Sequence, residues 1–500
     1  MTNNIIRELI KEHPEIEHFK KGFPNIGKRA DNKPFGAAVK EIETAWKFYD
    51  TDLYGVTSEQ EIIKLGSGNP INYKAFPTSI KYIKKELKKN LFEYPPAAGE
   101  EMHRETIAKY LIKEGYPEYL NYNNVIVTNS TTNGFYLTLK SLFKPYDCII
   151  MTAPNYGLFA FMPERLNISV ELVELKKENA YLINPKDLEK KISEINKKLK
   201  EKYKDSLGYT PKVRAFLNIN PHNPLGTVLS VRETELLSQI GEICMKNNIF
   251  IIDDLVYRDL TYDHTNIAKP IGTIARYFDN TISLFGLSKS YGLAASRAGF
   301  LVANENVIRL LRDNLFYTMD SASVLQSALL AGTYNTTKER EKFYKRYFQK
   351  IIPDYLLNCY LCIALFDGIA SVKDTPYYKK IVKLITKQIK DKKLQEQILK
   401  GVPYAKTVIT PASGFFLLID FTAIKTTGII NSEKELLEYL YRKCGVKFLV
   451  GQSFSWPTKN ALIARITYSF KPNILIDAIS KINIAINGGI YETNRNNDSC

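Results

Sequence analysis

No stretch of the 500 residues comes near the ~18 consecutive apolar residues that span a bilayer. The opening segment, Met1 to Glu17, is polar and mixed in charge and lacks the apolar centre of a secretory signal. A soluble, cytoplasmic protein without membrane contact is therefore expected. Cysteine is scarce: six residues (Cys148, Cys244, Cys359, Cys362, Cys444 and Cys500) in so long a chain make no disulfide framework. Cys359 and Cys362 form a lone CxxC inside an apolar run. Their i, i+3 spacing puts both on one helix face, which favours burial over redox chemistry or zinc. The five histidines (His13, His18, His103, His222, His264) are scattered and none stands at ligand spacing from a cysteine, so no metal is expected. Internal repeats and low-complexity linkers are also missing.

The hydrophobic content of 45% is enough for one large core or two medium ones. Lysine and arginine outnumber the acids 69 to 53, for a net charge of +16. The lysines fall in helical runs such as Lys190-Lys191 and Lys197-Lys198, interleaved with Glu189, Glu194 and Glu201. Such runs read as solvated helix faces, and no nucleic-acid partner is expected.

Between residues 124 and 304 short β-branched runs alternate with longer amphipathic ones, the pattern of a mostly parallel sheet covered by helices. Seven strands are predicted: Val125–Thr128, Cys148–Thr152, Val170–Leu175, Ala215–Ile219, Phe250–Asp253, Ile282–Leu287 and Gly299–Val302. Ligands of such sheets sit at the carboxyl ends of the strands, so the residues just after each run are where chemistry is expected. From 346 onward a helical stretch, a charged segment and the strand candidates Gly414–Asp420 and Ile463–Tyr468 predict a smaller α+β domain. The expected division is an arm and part of the small domain over 1–75, a large domain over 76–345, the small domain over 346–490 and a disordered tail over 491–500.

Three segments carry candidate chemistry. The run from Ser283 to Phe300 delivers Ser288 and Lys289 at a strand end, with Arg297 eight residues later. Burial disfavours an ammonium, so a lysine there has a lowered pKa and can attack an aldehyde as the free amine. Arg297 offers a bidentate fork to a phosphate, and Gly292 and Gly299 allow close backbone approach. The run from Phe216 to Thr227 leaves a strand through Pro221 and Pro224, which stiffen the loop and aim the amide of Asn223 at one point, where it could donate to a phenolate oxygen. The run from Ile249 to Tyr257 ends an apolar strand in Asp253 and Asp254. A buried carboxylate calls for a cation, such as a protonated pyridine nitrogen. The two acids point to opposite sides of the strand; Asp254 is the candidate from its spacing to Tyr257, and Asp253 fits a capping role. Singly, each segment is as well explained by an exposed lysine loop, a rigid turn or a helix cap.

In order and spacing together, the three segments resemble the signatures of fold type I pyridoxal-5′-phosphate (PLP) enzymes, the class I/II aminotransferases in particular, over roughly residues 60 to 470. The resemblance implies that Lys289 carries the cofactor as a Schiff base, with Asp254 and Tyr257 completing the catalytic set and Asn223 and Tyr257 on the phenolate oxygen. It places Gly68, in Leu65–Pro70, and Arg465, mid-strand in Ala461–Tyr468, on the substrate carboxylate. Ser130, Thr131 and Thr132, where a strand opens into a helix, fall on the cofactor phosphate with Ser288 and Arg297, and Tyr156 on the pyridine ring. Tyr94, in Tyr94–Gly99, would reach the neighbouring subunit's phosphate, which implies a homodimer with shared sites. The implied reaction moves an amino group between an α-amino acid and a 2-oxo acid. A PLP-dependent lyase, decarboxylase or oxidase would need the same residues. The chain departs from the family pattern in having Gly286 where many relatives carry serine, in its Ser-Thr-Thr phosphate loop, and in the length of Asp367–Thr410.

Overall fold

The structure is a computed structural model that describes residues 58–497 except 59, 72, 90, 92, 205 and 206; for 489–497 it describes the backbone alone. Most of the expected N-terminal arm therefore lies outside the described residues.

After a two-residue strand β1 (Ile63–Lys64), the large sheet is built from β2 (Val125–Thr128), β3 (Cys148–Ala153), β4 (Ser169–Glu174), β5 (Val213–Ile219), β6 (Phe250–Asp254), β7 (Thr281–Gly286) and β8 (Gly299–Val302). They lie in the order β2-β8-β7-β6-β5-β3-β4. Only β8 runs against the rest, pairing antiparallel with β2 and β7. Two strands have the bounds predicted from sequence and the others shift by one or two residues.

The near-continuous apolar runs have a cause, because both faces of the sheet are covered. Alternate residues of a strand feed opposite layers. Ile149 and Met151 join Phe135 and Leu139 of α3 (Ser130–Leu142) and Ile308 and Leu311 of α7 (Glu305–Met319). Cys148 and Ile150 join Leu188 and Ile192 of α5 (Pro185–Lys202) and Leu237 and Ile240 of α6 (Thr234–Lys246). The remaining helices of this half are α1 (Pro77–Glu86), α2 (Glu101–Lys113), the short α4 (Gly157–Phe161) and α8 (Val324–Thr333).

Helix α9 (Lys338–Asp367) runs for 30 residues, and the expected junction at 345/346 falls inside it. Cys359 and Cys362 are buried in it as free thiols. It leads through α10 (Tyr378–Gln388) and α11 (Lys392–Leu399) to the strands β9 (Lys406–Thr407) and β10 (Phe416–Asp420), and α12 (Glu433–Cys444) precedes β11 (Val446–Lys447). An antiparallel sheet β12-β13-β10-β9 follows, with β12 (Leu449–Val450) and β13 (Ile463–Thr467). The long segment around 370–405 is thus a helical pair whose Ile381, Ile385 and Ile398 are buried in the same core as α9. Strand β1 pairs in parallel with β11, joining the glycine turn at Gly66–Gly68 to this half. Where a disordered tail is expected from 491, helix α13 (Pro472–Asn497) continues to Asn497, and residues 498–500 lie outside the described residues. A helix anchored by buried Ile479, Ile482 and Ile486 extends at one hydrogen bond per residue without a new nucleation step. No described helix is long and apolar enough to cross a membrane.

Candidate active site

The ends of β6 and β7 lie side by side, with Asp253 opposite Ser283 and Asp254 opposite Leu284. The pleat separates the two acids. Asp253 is consumed structurally: Oδ1 accepts from Asn218 Nδ2 at 2.8 Å and Oδ2 from the Ile271 N–H at 2.9 Å. Asp254 accepts from the Val256 N–H at 3.2 Å and has Lys289 as its attractive charge. Burial pushes its carboxyl up to about 7, with Asp253 adding to the rise and Val256 and Lys289 opposing it.

Lys289, on the turn after β7, donates from Nζ to the Gly68 carbonyl at 2.7 Å. Burial lowers its amine to about 8, helped by Arg465 and Arg297 and opposed by Asp254. Burial thus favours the neutral form of both groups relative to water. Arg465, buried in β13, donates to Asn223 Oδ1 at 3.1 Å and to the Gly66 carbonyl at 3.3 Å. Its guanidinium lies 4.1 Å over the Phe416 ring. With the Asn223 oxygen so occupied, Nδ2 is the face of that amide free to donate. Tyr257 borders the same small cavity as Asn223, Gly414 and Phe416.

A second group forms where β2 opens into α3. The N-cap, Asn129, makes no side-chain cap, so the first-turn N–H groups face outward with the helix dipole behind them. Ser130 adopts φ of 77°, a left-handed conformation that non-glycine residues hold at a cost. It is held there by Thr128 Oγ1 on its carbonyl at 3.0 Å and by Arg297 Nη2 on its Oγ at 2.8 Å. Thr131 is buried and Thr132 half-buried beside it, and Ser288 is buried just ahead of the lysine.

Gly286 has its explanation here. A Cβ at 286 would stand 3.1 Å from the Thr131 methyl. The threonine at 131 and the missing side chain at 286 are two halves of one packing arrangement.

The structure therefore brings Gly68, Asn223, Asp254, Tyr257, Lys289 and Arg465 to one end of the sheet, with Ser130, Thr131, Thr132, Ser288 and Arg297 around the neighbouring helix end. Tyr156 caps α4 and sets its ring edge-on to Phe159, 5.2 Å between centroids. Tyr94 stands apart, 85% exposed. Sequence reading missed the Gly66 carbonyl, Phe416 beneath Arg465, and Gln326, which ties Asn129 Oδ1 at 2.7 Å to the Arg297 carbonyl at 2.9 Å. It also left His222 unassigned. That ring bonds Thr152 Oγ1 at 3.0 Å, and burial drops its pKa to about 3, so it stays neutral. Gly66, His222 and Phe416 lay in segments already singled out, but the contacts of Gly66, Phe416 and Gln326 depend on partners far apart in the chain.

These groups fit PLP. The uncapped helix end and Arg297 suit a phosphate dianion. The raised carboxyl of Asp254 suits a ring nitrogen that shares its proton, and the lowered amine of Lys289 suits capture of an aldehyde. A parallel sheet carrying these groups at its strand ends defines a PLP-dependent enzyme.

Comparison with known proteins makes this specific. The family model "Aminotransferase class I and II" matches residues 60–354. An aspartate aminotransferase of Pyrococcus horikoshii is 25% identical over 433 residues, 86% of this chain and 92% of its own length. A probable N-acetyl-LL-diaminopimelate aminotransferase of Bacillus subtilis is 26% identical over 298 residues, 58% of this chain and 69% of its own. Among solved structures, an aspartate aminotransferase of Thermus thermophilus superposes with a TM-score of 0.66 at 17% identity, covering 92% of this chain and 98% of its own. The chain belongs to the class I and II aminotransferase family. It is a transaminase that uses pyridoxal phosphate.

Proposed function

We propose that Lys289 is the residue that holds the cofactor and then moves the substrate Cα proton, and that the transfer runs between an α-amino acid and a 2-oxo acid. PLP, when bound, supplies an aldehyde for covalent capture of amines and a ring that takes up the electron pair left at Cα. Asp254 keeps the ring nitrogen protonated. The Asn223 amide and the Tyr257 hydroxyl donate to the ring oxygen, and Tyr156 lies on the ring face. Ser130, Thr131, Thr132, Ser288 and Arg297 hold the phosphate with the α3 N-terminus. Arg465 and the Gly68 backbone hold the substrate carboxylate, which fixes which Cα bond lies across the ring. The Lys289 amine would accept the Cα proton and deliver it to the carbon that bore the cofactor's aldehyde.

The carrying observation is the position of Lys289 Nζ, 2.7 Å from the Gly68 carbonyl with Arg465, Arg297 and Asp254 as its charged neighbours. The exposure of Tyr94 supports its reach to a partner's phosphate in a cytoplasmic homodimer with shared sites. Relatives named for aspartate and for aromatic amino acids make those the first donors to assay.

The test is borohydride reduction of the PLP-loaded protein followed by peptide mapping, with a donor panel run with and without 2-oxoglutarate or pyruvate. The expected result is a label on Lys289 and 2-oxo acid formed beyond one equivalent per site only when an acceptor is present. A label elsewhere removes Lys289 from this role, and turnover without an acceptor moves the reaction to elimination, decarboxylation or oxidation.

A further inference from the structure

Next to the lysine segment lies a second set of buried charged groups that takes no part in the chemistry above. Arg258 is bonded to Glu114 and lies 3.4 Å from Asp259 Oδ1. Arg340 donates to the Thr333 carbonyl at 3.0 Å and lies over the rings of Tyr110 at 4.8 Å and Tyr344 at 4.3 Å. Two guanidiniums thus face two carboxylates. Buried ion clusters are weak devices for stability, because apolar residues of equal volume serve as well. What a cluster provides is fixed register between the segments it joins. This one joins the end of α2, the loop after β6, the turn after β7 and α9.

Asp259 is its hub. Oδ2 accepts from Tyr291 at 2.9 Å and Oδ1 from Tyr344 at 3.1 Å. Tyr291 follows Lys289 by two residues, and its fully buried ring is walled by Phe76, Tyr334 and Phe348 at 5.3–5.8 Å. Between them Ser290 Oγ donates to the Val256 carbonyl at 3.1 Å, two residues beyond Asp254. Two side chains immediately after the lysine therefore cross-link to the loop immediately after the acid.

We infer that Ser290 and Tyr291 are positioning residues whose bonds to Val256 and Asp259 lock the strand end bearing Lys289 to the strand end bearing Asp254. Lysine carries four methylenes and about 2 kcal/mol of rotamer freedom. The site therefore depends on its backbone root being still. A reacting atom misplaced by about 1 Å costs up to ~100-fold in rate.

The inference rests on Lys289 as the cofactor-bearing residue, and the test separates the two. PLP-loaded parent, Tyr291→Phe, Ser290→Ala and Tyr344→Phe are titrated from pH 5 to 10 by the visible absorbance of the bound cofactor, and kcat and KM are measured with the best donor. Tyr344→Phe removes a hydrogen bond to the same carboxylate but from α9, so it is the matched control. In Tyr291→Phe and Ser290→Ala the absorbance midpoint is expected to move up by about half a unit or more, because a looser root lets water reach the nitrogen and favours its charged form. Their kcat falls about 5- to 20-fold with KM within about twofold, the pattern of an interaction made in the transition state. Tyr344→Phe titrates and turns over as the parent does. Equal shifts in Tyr291→Phe and Tyr344→Phe overturn the inference, as do parental midpoints in Tyr291→Phe and Ser290→Ala. If Tyr291→Phe fails to fold, the isosteric Ser290→Ala decides alone. A parent that stays colourless with PLP overturns the assignment of Lys289 itself, and this inference with it.

Discussion

The two ends of the proposed cofactor cradle are built differently. At the ring end Asp254, Asn223 and Arg465 are each at most 5% exposed; Asp254 accepts from Val256 just after β6, and Arg465 of β13 donates to Asn223 in the Pro221–Pro224 loop and to the Gly66 carbonyl. At the phosphate end the binding groups belong to a helix terminus and a turn. Arg297 there is exposed, and among the described residues its guanidinium bonds Ser130 and its own turn at Ala294. Charge buried in low dielectric is strong and unforgiving, whereas charge in water is weak and replaceable. The ring end is therefore where chemistry is set, and the phosphate end is where affinity is adjusted.

Substitutions should follow that order. Lys289→Ala removes the proposed proton carrier and is expected to cost at least about 10³-fold in rate, read by single-turnover release of 2-oxo acid. Asp254→Asn, which keeps shape and removes charge, costs about 10²- to 10³-fold. That variant also reports through stability. Burial raises the Asp254 carboxyl from 3.8 to about 7, so between those pH values the folded apoprotein binds more protons than the unfolded chain and loses stability as pH rises. The fall in Tm from pH 4 to 7 should be shallower in Asp254→Asn than in the parent. An equal slope would mean that the acid is not buried as described.

Arg465→Ala removes a charge-assisted contact of roughly 1.5–3 kcal/mol and should cost about 10- to 100-fold in kcat/KM, mostly in KM. Arg297→Ala probes the other end. With an exposed guanidinium worth about 1 kcal/mol or less, PLP should bind no more than about fivefold more weakly, and a 100-fold loss would erase the contrast between the ends. The smallest effect is expected at the seam between them. Gly286→Ala presses on the Thr131 methyl and should cost about 1 kcal/mol, read by denaturant unfolding. Adding Thr131→Ser removes that methyl and should restore most of the loss, a coupling that two independent sites would not show.

Much of this was legible in the sequence because it is local. The seven strands announce themselves as β-branched runs. Asp254 ends one, and Lys289 and Asn223 sit a few residues beyond two others, where an α/β sheet places its ligands. What was hidden depends on contact between distant segments. Nothing near Gly286 predicts Thr131 as its neighbour, since 155 positions separate them. Asp253 and Asp254 are adjacent in sequence, and the pleat alone gives them opposite tasks. The segment near 370–405 read as a charged stretch without an assigned role because its lysines outnumber the isoleucines that anchor it. The tail beyond 491 read as loose because composition does not register a helix propagated from an anchored neighbour.

The pairing of Ile63–Lys64 with Val446–Lys447 is short, yet it decides which half of the molecule owns the glycine turn. The turn touches Lys289 through Gly68 and Arg465 through Gly66, while among the described residues the strand that leads into it pairs with β11 in the C-terminal half. Any relative swing of the two halves would carry the turn with Arg465 across the lysine, as a latch rides on a door. A chain trimmed past residue 66 would keep both sheets and lose that latch.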